Sequence, residues 1–134
     1  EGLATTLGVD ADFRGEVHGA ERDRLLASAD VVVLPSRSVD GRSEGMPLVA
    51  LEALAAGAAL VVSDCGGLRE IPESIALRVP AGEVSALAAA LDRALGGSGA
   101  PYAGGHWLEE RDWSAVAPRL LRGLTGIHHL RRSA

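Results

Sequence analysis

Two short apolar runs constrain this chain more than any other feature. Asp30-Val31-Val32-Val33-Leu34-Pro35 is continuous and stopped by proline, and Leu60-Val61-Val62-Ser63-Asp64 follows the same plan. Runs without polar alternation suit strands buried on both faces of a parallel sheet. Parallel neighbours need a crossover, and the residues between the runs supply one. Pro47 suits the first turn of a helix, where its missing N–H costs nothing. The pattern predicts a helix from there to about Ala56, stopped by Gly57.

The same reading extends outward. Glu1 to Gly8 reads as the end of a helix closed by Gly8. Asp12 to Val17 is a strand candidate. Glu21 to Ala29 reads as a helix with Leu25, Leu26 and Ala29 on one face. Gly66-Gly67 turns the chain into a short helix around Leu68 to Ile71, and Ile75 to Val79 reads as a strand between Pro72 and Pro80. Val84, Leu87, Ala88, Leu91 and Leu95 share one face of an amphipathic helix. Gly96-Gly97-Ser98-Gly99 ends it. His106 to Arg111 fits one or two helical turns. In Trp113 to Leu124, Val116, Leu120, Leu121 and Leu124 stand at helical spacing, and Ile127 to Ala134 is basic. Alternating strands and helices imply an α/β fold: a Rossmann-like parallel sheet with helices on both faces. The expected division is a domain over 1–125 and a basic tail over 126–134.

Composition narrows function. The 134 residues suit one domain with a real core. The net charge of -5 argues against a nucleic-acid partner. All 13 basic residues are Arg; without Lys, P-loop ATPase and Schiff-base chemistry are excluded for this chain. The single Cys65 precludes an intrachain disulfide and fits a reducing, cytoplasmic setting. No apolar run approaches the ~20 residues of a membrane span, and Glu1-Gly2-Leu3 does not open a signal peptide.

Chemistry concentrates in Ser43 to Gly57. Glu44 sits in the loop before the helix, and Glu52 lies one turn beyond Leu48 on the same face. Between them the amides of Gly45, Met46, Leu48 and Val49 include donors with no acceptor inside the helix. Their dipole favours an anion, and Gly45 permits close backbone approach. A diphosphate fits those donors; the flanking carboxylates suit neutral polyols such as a sugar and a ribose. Either Glu alone would be an ordinary surface residue.

These residues resemble the C-terminal, donor-binding domain of a GT-B glycosyltransferase of the group 1, or family 4, type. The resemblance is carried by Arg14-Gly15-Glu16-Val17, Leu25 to Ser36, Glu44 to Gly57, and Val61 to Glu70. Trp113-Ser114-Ala115-Val116-Ala117 resembles the family's closing helix. It implies a retaining transfer of a sugar from a nucleotide-diphosphate sugar, without a bound metal or other cofactor. By the same resemblance Glu44, the candidate catalytic residue, contacts hydroxyls of the transferred sugar and Glu52 binds the ribose. Met46, Pro47, Leu48 and Val49 lie along the sugar and diphosphate. Val17 meets the nucleobase through its backbone, and Gly66 and Gly67 line the cleft edge. The family's basic pair and its N-terminal acceptor domain match nothing here, so the chain reads as a fragment without turnover of its own.

Other residues carry weaker signals. Arg37 and Arg42 flank the Glu44 loop and either hold an anionic donor or pair with Asp40 or Glu44. Asp40 and Glu44 as paired glycosidase acids are discounted, since nothing fixes their separation. Cys65 reads as a buried, inert thiol, His18 as a solvated loop residue, and Trp107 and Trp113 as packing residues. His128-His129 lacks further metal ligands at useful spacing. Arg119, Arg122, Arg131 and Arg132 read as a solvated face, with peripheral membrane contact unsupported. An open sheet edge would allow a homodimer. The alternatives are a non-catalytic nucleotide-binding module, a GT-B nucleotide-sugar epimerase, a glycan phosphorylase (disfavoured by the missing Lys) and, weakest, a dinucleotide oxidoreductase without Gly-x-Gly-x-x-Gly.

Overall fold

The computed structural model describes residues 2–38, 45–98, 105–112 and 114–118. Among these residues there are three strands: β1 (Val31–Leu34), β2 (Ala59–Ser63) and β3 (Leu77–Val79). They form one sheet in the order β1-β2-β3, parallel throughout. Val33 stands opposite Val61, and Val61 opposite Leu77. The central strand β2 is the most deeply buried, with Val61 and Val62 almost wholly enclosed. Each such side chain contributes ~1.5–3 kcal/mol by leaving water.

Five helices accompany the sheet among the described residues: α1 (Gly2–Leu7), α2 (Gly19–Ser28), α3 (Leu48–Ala56), α4 (Val84–Arg93) and α5 (Gly105–Glu109). Residues 114–118 are also helical. Side chains alternate along a strand, so each strand serves two cores. Leu60 and Val62 of β2 pack with Ala50, Ala53 and Leu54 of α3 and with Leu68 and Ile71. Leu26 of α2 and Trp107 of α5 border that cluster. On the opposite face Val61 and Val79 pack with Ala90 of α4. Helices thus cover both faces, as the alternation of the sequence implies.

Helix ends follow backbone chemistry. Gly57 closes α3 in the left-handed region at φ 85°, and its N–H bonds the Leu54 carbonyl at 3.1 Å. An L side chain there would be strained. Beyond β2, Gly66–Glu70 forms a 3-10 turn. Arg78 of β3 braces this connection, donating from Nη2 to the Arg69 carbonyl at 2.9 Å and the Ile71 carbonyl at 2.6 Å.

Three expectations need correction. Residues 12–17 are not a strand. Gly15 turns the chain with φ 66°, and Arg14 bonds Asp12 locally at 2.6 Å and reaches Glu21 of α2 at 3.5 Å. The segment is therefore an exposed lead-in to α2. The Asp12 hydrogen bond, with its charge, raises the pKa of the Arg14 guanidinium above the usual value. The buried stripe of α4 is also displaced. Leu87 and Leu91 face the core as expected, but Val84 and Leu95 are 79% and 67% exposed, and Ala88 is exposed. Ala86 and Ala90 take the inner positions because a short Ala side chain lets the helix lie close to Val61. The predicted glycine stop begins early: Ala94–Ser98 widens into a π-type turn broken at Gly97, φ 73°.

Candidate functional site

The start of α3 has open amides. Pro47 is its N-cap residue, in extended conformation and without a side-chain capping bond. Pro47 accepts from Ala50 N–H at 3.0 Å. The amides of Met46, Leu48 and Val49 have no acceptor among the described residues. Amides so placed, at the positive end of a helix, suit an anion. Leu48 is 72% exposed, Val49 half-buried, and Met46 anchors the approach by packing against the core.

The turn after β2 meets this loop directly. A Cβ on Gly67 would lie 2.7 Å from the Gly45 carbonyl oxygen and closer still to the Gly45 carbonyl carbon and the Met46 nitrogen. No side chain fits there. Gly66 has φ 51° and opens the 3-10 turn. The structure therefore brings Gly45, Met46, Gly66 and Gly67 together. Among the described residues beyond its chain neighbours, no atom lies within 4 Å of where a Gly45 Cβ would be. Gly67 makes a second close approach, between two parts of the chain.

Glu52 lies on α3 and is about one-third exposed. Its Oε1 meets Nη1 of Arg22, on α2, at 3.1 Å. Val17 is half-buried and shortly precedes α2. Because α2 and α3 pack together, the segment with Val17 joins the helix that meets Glu52. Glu44 lies outside the described residues, as do Asp40, Arg42, Trp113, Arg119, Arg122, His128, His129, Arg131 and Arg132. Arg22 has no signal in the sequence, since its partner is remote along the chain.

A cleft of about 240 Å³ lies on the α4 side, at the carboxyl ends of the strands. Pro35 and Arg37 follow β1, Ser63 ends β2, and Pro80, Gly82 and Glu83 follow β3. Arg37 lies along this wall, its Cδ 3.6 Å from where a Gly82 Cβ would be. Cys65 is buried, with Sγ 3.3 Å from Ser38 Oγ. This contact ties the residues after β1 to the turn after β2. His18 is exposed and 3.4 Å from Glu16. Trp107 packs against the core and carries Arg111 over its ring at 3.8 Å. Among the described residues, no group of three or more His, Cys, Asp or Glu could hold a metal, and no helix is long and apolar enough to cross a membrane.

A family model for glycosyl transferases group 1 matches residues 2–96. The chain belongs to the group 1 glycosyl transferases. A phosphatidyl-myo-inositol mannosyltransferase of Mycobacterium leprae is 35% identical over 116 residues, covering 82% of this chain and 30% of that protein. An uncharacterized glycosyltransferase of Methanocaldococcus jannaschii is 48% identical over 73 residues, covering 53% of this chain and 17% of the relative. Among solved structures, a sucrose-phosphate synthase from Thermosynechococcus elongatus superposes with TM-score 0.73 at 27% identity, over 96% of this chain and 33% of its own. The group 1 transferase chain has the Rossmann-like α/β architecture of the GT-B class. It spans about a third or less of the relatives it matches.

Proposed function

We propose that this group 1 transferase chain binds the nucleotide-diphosphate-sugar donor of a retaining hexosyltransferase whose acceptor site lies on a separate N-terminal domain. The observation that carries the reading is the start of α3. There the amides of Met46, Leu48 and Val49 have no acceptor among the described residues, and Gly67 holds the Gly45–Met46 peptide in place. The diphosphate accepts from these amides, with Gly66 and Gly67 at the rim and Pro47 withholding no needed donor. Glu52 takes the ribose hydroxyls and Val17 the base. Glu44 serves the transferred sugar. Leaving-group charge grows as the glycosidic bond breaks, and donors already aimed at the phosphates stabilise it without reorganisation. No metal or other cofactor has a part in this reading.

The chain alone binds donor but does not turn over, because acceptor chemistry belongs to the other domain. The setting is cytoplasmic, without a nucleic-acid partner; peripheral membrane contact is unsupported, and a sheet edge left unpaired among the described residues would admit a second copy. A non-catalytic nucleotide module is the competing reading. Titration with UDP, GDP and ADP separates the two. Saturable binding that Glu52→Ala abolishes supports the donor site; absence of binding to the whole enzyme overturns it.

A further inference from the structure

The ion pair between α2 and α3 has an arrangement that a surface pair does not need. Arg22 Nε and Nη2 both donate to Asp23 Oδ1, at 3.3 and 3.1 Å. Asp23 thereby fixes the plane of the guanidinium. Nη1 is left to reach across to α3, where it meets Glu52 Oε1 at 3.1 Å. Oε2 of Glu52 has no partner among the described residues. One carboxylate oxygen is thus held and the other is presented.

Stability alone does not account for this cluster. Arg22 is 42% exposed and Glu52 32%, and an ion pair so wetted contributes only ~0.2–1 kcal/mol. Its geometric effect is larger. An unpaired Glu on a helix samples several rotamers, and each must be given up on binding a diol. A guanidinium anchored on a neighbouring helix removes that freedom beforehand.

We infer that Arg22, itself oriented by Asp23, is a positioning residue that holds Glu52 for the 2′- and 3′-hydroxyls of a nucleotide ribose. This rests on the ribose role of Glu52 given above and adds the residue that sets it. Arg22 does not touch the ligand; it acts through Glu52.

The test is the enzyme's preference for ribose over deoxyribose. UDP, GDP and ADP are titrated calorimetrically into the whole enzyme. The tightest binder is then compared with its 2′-deoxy and 3′-deoxy forms. The native protein favours the ribonucleotide by roughly tenfold, the scale of one charge-assisted hydrogen bond. Arg22→Ala cuts that preference to within about twofold while leaving affinity for the deoxy forms nearly unchanged; Arg22→Lys restores part of it. Adding Glu52→Gln to Arg22→Ala costs nothing further. A merely structural Arg22 would weaken all nucleotides alike or none. If Arg22→Ala lowers Tm by more than about 5 °C, Arg22→Gln, which keeps length and donors, replaces it. A preference retained in the Arg22 variants but lost in Glu52→Gln overturns the inference and leaves the donor site standing. A preference unchanged in Glu52→Gln overturns the ribose role itself, and the inference with it.

Discussion

Gly67 and Met46, far apart in sequence, meet backbone to backbone at the start of α3. A Cβ on Gly67 would intrude on the Met46 nitrogen. Since the Met46 amide is one of the open donors, the glycine controls where that donor points.

Gly67→Ala therefore has two expected effects. Forcing a methyl into occupied space costs about 1–3 kcal/mol, seen as a lower urea midpoint. The displaced Gly45–Met46 peptide also weakens nucleoside diphosphate binding, by roughly tenfold or more in a titration, the equivalent of one misplaced donor. Unchanged stability and affinity would show that the loop yields freely.

Glu44→Ala in the whole enzyme is expected to lower turnover by at least ~100-fold, the scale of losing one well-placed transition-state contact. Donor hydrolysis and transfer, measured at saturating donor, check it. Near-normal turnover would remove Glu44 from the mechanism.

Leu54→Ala should destabilise the chain by about 2–5 kcal/mol. Leu54 is 1% exposed, within the core between α3 and the sheet. Equilibrium urea unfolding measures the loss, and a change below about 1 kcal/mol would mean that the neighbours collapse into the space.

Gly57→Ala places a side chain at φ 85° where α3 ends. The left-handed conformation costs a non-glycine residue roughly 1–2 kcal/mol. Among the described residues beyond its chain neighbours, no atom lies within 4 Å of the new methyl, so unfolding free energy isolates the backbone penalty from a clash. Tm should fall while nucleotide affinity is kept, in contrast to Gly67→Ala.

Much of this fold is legible in the sequence because its signals are local. The runs at Val31 and Leu60 announce buried strands, and Pro47 and Gly57 mark the ends of the helix between them. Residues 12–17 carry only Phe13 and Val17 as apolar side chains, too few to hold a strand in a sheet, and the left-handed Gly15 and the Asp12–Arg14 pair make the segment a turn. Val84 and Leu95 misled because the spacing of large apolar residues implies an inner face. Here that position belongs to alanines, whose small size permits close packing on Val61. Among the site residues, the open amides are predictable from helix geometry. The part of Gly67 as a spacer was not legible, since the peptide it admits lies on another loop. Arg22 was not legible at all. Its partner is joined only by the packing of α2 on α3, and pair spacing along one helix says nothing about it.

The wedging of α3 between α2, β2 and α5 limits how a donor can be captured. Almost any displacement of that helix would drag the sheet with it. On the proposed donor-site reading, the amides at the start of α3 are therefore set in place before a ligand arrives rather than assembled around it.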